Sequence, residues 1–279
     1  MDFSEFTSKR VVYALPGMER TQVQANVIYK TVDGLGLALD AYYPAGFTFG
    51  TPLPAVIFIH GDGPAEMIHD VKDWGQYVSW GQLAAASGLA GLPFNHRSAG
   101  GRLAGMVSVA EDIHDLVDYV RRHAAELHVD PDRLCLWACS AGVPYLQEFF
   151  AAPPAYVRCM VACYGLMDYQ QYASFLEPEL PAEERATKLQ LFKQFSLLGY
   201  LQDHPATIPP LFVAQAGQDD PAANASIDRY YSAACSLHAQ VELACHASGR
   251  HGFDVLDDDA TSRSIVERTL GFMRHHLLD

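Results

Sequence analysis

Apolar and polar residues follow two rhythms along the chain. Residues 55–59 (Ala-Val-Ile-Phe-Ile) and 134–139 (Leu-Cys-Leu-Trp-Ala-Cys) are unbroken apolar runs, the pattern of strands buried on both faces of a sheet. Shorter runs of the same kind occupy 89–94, 157–164, 209–216 and 241–246. Between them the period changes. Ile113, Leu116, Val117 and Val120 recur at helical spacing with charged residues between them, which predicts an amphipathic helix over 109–127. Further helices are predicted over 74–87, 222–238 and 262–277. Near the start, β-prone runs at 23–31 and 35–43 are joined by Val32-Asp33-Gly34, a hairpin signal. Asp130-Pro131-Asp132 reads as a turn. Strands alternating with helices predict an α/β class protein, with a mostly parallel sheet and helices on both faces. Residues 165–207 break the rhythm. They are long, aromatic and partly helical, so the chain reads as one domain over 1–279 with a cap-like insertion at 165–207.

Composition narrows the function classes. The 279 residues, 49% hydrophobic and 19% charged, suffice for one large core and exclude a disordered chain. A net charge of −14 disfavours nucleic acid and anionic membrane surfaces as partners. Residues 1–20 hold no apolar core of signal-peptide length, and no run approaches a bilayer span. Six cysteines are present. Those at 135, 139, 159 and 163 fall in predicted strands, as buried thiols do. The expectation is a reduced, cytoplasmic protein with no metal site and no cofactor.

The chemistry starts at the end of the 134–139 run. Ala138-Cys139-Ser140-Ala141-Gly142 is small-x-Ser-x-small, between a predicted strand and the helix-compatible stretch 143–151. A strand entering a helix through a sharp turn is the setting of a nucleophile elbow, where only small residues fit two before and two after the nucleophile. Ser140 in that role has Ala138 and Gly142 there. Cys139 would have Trp137 and Ala141, and an indole does not fit, so Cys139 reads as packing. Alone, the pattern is also that of an ordinary strand-to-helix turn.

Partners elsewhere change its weight. A sheet of this class binds ligands beyond the carboxyl ends of its strands. Past the 55–59 strand lies His60-Gly61-Asp62-Gly63, past the 209–216 strand Gly217-Gln218-Asp219-Asp220-Pro221, and past the last strand His251-Gly252-Phe253. The chain order of glycine loop, Ser, Asp, His is that of α/β-hydrolases. On these motifs the chain, over residues 23–277, resembles the α/β-hydrolase superfamily, and more narrowly its dienelactone-hydrolase-like and carboxylesterase-like members. It departs from them twice. Dienelactone hydrolases use Cys as nucleophile where this chain has Ser140. Asp62 stands where esterases often have Gly, and a carboxylate beside an oxyanion is unfavourable unless it points away.

The resemblance implies an α/β-hydrolase fold and a serine hydrolase that cleaves a small-molecule carboxylic ester or lactone through an acyl-enzyme. Ser140 is then the nucleophile, His251 the base and Asp219 its orienting acid. The N–H of Ala141, with Asp62, Gly63 or both, would hold the oxyanion. Asp220 competes with Asp219, although its place before Pro221 suits a helix cap. His246 competes with His251 but suits a structural role. Tyr164, Met167 and Phe175 open the insertion as candidate substrate-binding residues. Trp74, Tyr77 and Trp80 read as core, and Asn95-His96-Arg97 as a hydrogen-bond network. The same triad also serves amide or C–C hydrolases and acyltransferases. From a different class, a non-catalytic ligand-binding protein can occupy the same scaffold.

Overall fold

Strands β1 (Gln22–Val32) and β2 (Leu35–Tyr43) form the hairpin that Asp33-Gly34 predicts. Both turn residues have positive φ, 50° and 83°, the backbone of a two-residue primed turn. The later strands are β3 (Leu53–Ile59), β4 (Ala90–Pro93), β5 (Val129–Cys139), β6 (Val157–Cys163), β7 (Leu211–Ala216) and β8 (Val241–His246). All eight join one sheet in the order β1-β2-β4-β3-β5-β6-β7-β8. β2 runs antiparallel to β1 and β4, and the remaining pairs are parallel. The structure, a computed structural model, describes residues 3–48, 50–176 and 179–279.

Helices α1 (Phe3–Ser8), α2 (Gly75–Ala86), α3 (Gly105–Arg122), α4 (Gln147–Ala151), α5 (Ala182–Gln194), α6 (Leu197–Asp203), α7 (Pro221–Ser236), α8 (Phe253–Leu256) and α9 (Ala260–Leu278) surround the sheet. The central strands are apolar throughout because neighbouring residues serve opposite faces. Val56, Phe58, Trp137 and Phe212 pack with Trp80 of α2 and Met273 of α9. Ile57, Ile59, Leu136 and Val213 pack with Leu116 of α3, Phe150 of α4 and Tyr230 of α7.

Several boundaries differ from expectation. β7 begins at Leu211 because Pro209 and Pro210 have no N–H to donate. α3 starts four residues early, at Gly105, and stops at Arg122. The chain then turns through backbone bonds from Leu127 to His123 and from Val129 to Ala124. Residues 130–132 fall inside β5 rather than before it, with Asp130 accepting from the Asp132 N–H at 2.9 Å. The 165–207 stretch lies between β6 and β7. It holds a 3-10 turn (Tyr169–Phe175), α5 and α6. Phe195, Leu197 and Leu201 anchor it in the core.

Candidate active site

At the end of β5 the backbone turns sharply. Ser140 has φ 54°, a left-handed conformation that costs a non-glycine residue energy unless its surroundings impose it. They do so through close approach. A Cβ on Gly142 would lie 2.5 Å from the His60 carbonyl oxygen, and one on Gly61 would lie 3.2 Å from the Ser140 Cβ. Gly165 likewise leaves no room for a Cβ beside Val143 and the Ser140 carbonyl.

Ser140 Oγ lies 2.8 Å from His251 Nε2, and His251 Nδ1 lies 2.6 Å from Asp219 Oδ2. The loops after β7 and β8 are tied together by bonds from Gly217 N to the His246 carbonyl and from Gln218 N to the Gly249 carbonyl, each 2.9 Å. Those bonds carry Asp219 to the imidazole. Asp220 turns away and caps α7, accepting from Ala222 N and Ala223 N. His246 is buried, with Nε2 3.0 Å from Asp259 Oδ2. Cys139 is buried beside Tyr77, and burial pushes its thiol up to about 12.

The Asp62 carboxylate points away from Ser140. It accepts from Tyr145 Oη at 2.9 Å, from Ala99 N at 3.0 Å and from Gly63 N at 2.8 Å. The Gly63 N–H is therefore occupied, which removes it from the expected oxyanion donors. The Asp62 N–H has no hydrogen-bond partner among the described residues. Ala141 stands in the first turn of a 3-10 segment (Ser140–Leu146), where N–H groups lack helical partners. Behind this loop His60 and His96 stack at 3.5 Å between ring centroids. Burial lowers the pKa of both rings.

One feature had no sequence signal. Asp254 is buried and accepts from Tyr164 Oη at 2.7 Å and from Gln76 Nε2 and Trp80 Nε1, each at 2.9 Å. Tyr164 itself has φ 39° and sets its ring edge-on to His251, 5.0 Å between centroids.

Two cavities flank the serine. One of about 540 Å³ is lined by Ser140, His251 and Tyr164, with Phe3, Phe6, Met67, Ile68 and Trp74 as its apolar walls. The other, about 280 Å³, is lined by Ala141, Tyr145, Tyr169, Phe192 and Leu103. Asp62 and Gly63 border both. Of the three expected wall residues, Tyr164 lines the larger of these cavities, and Met167 and Phe175 line neither. Met167 is core, its N–H bonded to Ser226 Oγ. Phe175 is 78% exposed. The reason is the 3-10 period: the rings of Tyr169, Tyr172 and Phe175 follow one another at three-residue spacing. The first reaches the cavity and the last projects into solvent. Trp74, expected in the core, is half-buried and lines the larger cavity, whereas Tyr77 and Trp80 are core as expected, Tyr77 also bordering that cavity. Asn95, His96 and Arg97 do form a network. Asn95 accepts from Lys72 N, and Arg97 forks onto Asp112.

A model of the prolyl oligopeptidase family matches residues 97–279, more than half of the chain. The chain belongs to that family. A second model, BD-FAE, matches residues 39–151 of this family member. The fold is that of the α/β-hydrolases. A thermophilic esterase, Est2, from the planctomycete Thermogutta terrifontis superposes on it in native form with TM-score 0.71 at 19% identity. That alignment covers 93% of this chain and 94% of the other. The same esterase phosphoramylated by tabun gives 0.67 at 19% identity, covering 94% and 96%. Its butyrate-bound form gives 0.69 at 19%, covering 94% and 95%. No curated protein matches the chain by sequence. Among the described residues no helix is long and apolar enough to cross a membrane, and no group of three or more His, Cys, Asp or Glu is placed to hold a metal ion.

Proposed function

We propose that the protein is a serine esterase acting on small-molecule carboxylic esters through an acyl-enzyme. The observation that carries this is the unbroken relay from Ser140 Oγ through His251 to Asp219. Ser140 attacks the ester carbonyl as His251 Nε2 takes its proton. Asp219 holds the imidazole tautomer and stabilises the imidazolium. The Ala141 and Asp62 N–H groups receive the oxyanion, and losing one such donor typically costs ~10²–10³ in kcat. His251 then protonates the leaving alcohol, and water releases the acid by the same steps. Cys139, with its thiol held far from ionisation, is no rival nucleophile, which favours the carboxylesterase reading over a dienelactone-hydrolase one.

The rings of Tyr169 and Phe192 beside the smaller cavity support a cap role for residues 165–207 within a single domain. Free thiols at all six cysteine positions support a reducing, cytoplasmic setting. The esterase Est2 with butyrate or propionate bound is consistent with short acyl groups here.

Labelling with a fluorophosphonate tests the reading. The label should map to Ser140, and Ser140→Ala should abolish both labelling and ester turnover without unfolding the protein. A label on another residue would refute it. The family match favours a second reading, amide cleavage on the same relay. A p-nitroanilide and a p-nitrophenyl ester of the same acid, compared directly, separate the two.

A further inference from the structure

We infer that the preferred substrates join a bulky apolar alcohol to a small acyl group, with the alcohol arm in the larger cavity and the acyl arm in the smaller. This rests on the esterase reading. In acylation the bond from Ser140 Oγ to the carbonyl carbon forms, and the bond from that carbon to the alcohol oxygen breaks. The proton that left Ser140 passes from His251 Nε2 to the departing oxygen. That oxygen must therefore lie within hydrogen-bond reach of Nε2.

His251 lines the 540 Å³ cavity and not the 280 Å³ one, whereas Ala141 lines the 280 Å³ cavity and not the other. An ester with its carbonyl oxygen on the Ala141 N–H and its alcohol oxygen beside His251 directs its alcohol substituent into the larger space. The acyl substituent passes beyond the Asp62-Gly63 wall into the smaller one. The walls agree with this division. The larger cavity is faced by Trp74, against whose ring Phe3 and Phe6 both pack edge-on at 5.6 and 6.1 Å. Aromatic edges and faces of this kind suit a planar aromatic arm. The smaller cavity is narrowed by Tyr145, whose hydroxyl is fixed on Asp62.

Two isomeric esters test the assignment: 2-naphthylmethyl acetate and methyl 2-naphthylacetate. They have the same atoms and leaving alcohols of similar basicity, so intrinsic reactivity nearly cancels. The acetate should show the higher kcat/KM, by about tenfold or more, the scale on which an apolar pocket discriminates. Trp74→Ala should compress that ratio towards one. Phe6→Ala, at a half-buried position on α1, should do so too and serves if Trp74→Ala does not fold. Equal rates or a preference for the methyl ester overturn the arm assignment while leaving the esterase reading intact, provided Ser140-dependent hydrolysis is seen. Absence of any Ser140-dependent ester hydrolysis overturns both.

Discussion

Tyr164→Phe removes one hydroxyl and keeps the ring. In the native protein that hydroxyl donates to Asp254 Oδ1 at 2.7 Å and accepts from Gln76 Nε2 at 2.9 Å. Burial raises its pKa well above the ordinary phenol value, so it remains a donor at any working pH. The Asp254 side chain has no cation partner among the described residues. It is held by Tyr164, Gln76 and Trp80 alone, all buried. A hydrogen bond to a charged group contributes about 1.5–3 kcal/mol, and a buried acceptor left short of donors adds its desolvation. We therefore expect Tyr164→Phe to cost about 2 kcal/mol, which lowers Tm by about 5 °C in a chain of this size. Asp254→Asn should cost more, because an amide N–H₂ would face donors already in place. The double variant should lose less than the sum of the two, since the shared bond is counted once. Urea titrations and thermal midpoints of the four proteins measure this. The ring contact with His251 survives in Tyr164→Phe, so fluorophosphonate labelling of Ser140 should persist. A Tyr164→Phe midpoint equal to that of the wild type, or additive single costs, would refute the network.

Asp219→Asn should depress kcat by up to ~10⁴ as the imidazole loses its orienting partner, whereas Asp220→Ala should act through stability, by about 1 kcal/mol for a lost helix cap. Measuring kcat and Tm for both decides it, and a collapse of kcat in Asp220→Ala alone reverses the roles. Stability should fall as pH rises past about 10, where unfolded tyrosines release protons that the buried phenols of Tyr77, Tyr145, Tyr164 and Tyr230 retain. The unfolded state then binds fewer protons, so each tyrosine removes up to about 1.4 kcal/mol per pH unit; urea midpoints that stay flat into alkali contradict this. Phe175→Ala should leave both ester selectivity and Tm within error, and a shift in selectivity would place that ring over the cavity.

The fold and the meeting of Ser140, His251 and Asp219 were largely legible because both depend on local chemistry. Unbroken apolar runs marked the central strands, and small residues around Ser140 marked a turn that tolerates nothing larger. The choice between Asp219 and Asp220 followed from the proline after Asp220, which suits a cap. What escaped depends on residues distant in sequence. The role of Asp62 is set by Ala99 and Tyr145, which lie 37 and 83 positions away. Asp254 takes its donors from Gln76, Trp80 and Tyr164, and its own surroundings in the sequence carry no trace of them. The apolar walls of the larger cavity come mainly from α1 and the segment before α2, whereas the insertion gives Tyr169 and Phe192 to the smaller one, so aromatic content in the insertion pointed to only one of the two cavities.

The relay is also a report on folding. Ser140 and His251 are separated by 111 positions, and Asp219 and His251 by 32. Each reaches its place only when β5, β6, β7 and β8 have paired in order. No hairpin or helix contains the machinery, and pairing of distant parallel strands is among the slower events a chain undergoes. During refolding, helical signal should return before reactivity towards a fluorophosphonate. The appearance of covalent label then times the closing of this half of the sheet. A partly folded chain should carry a serine no more reactive towards the label than any other.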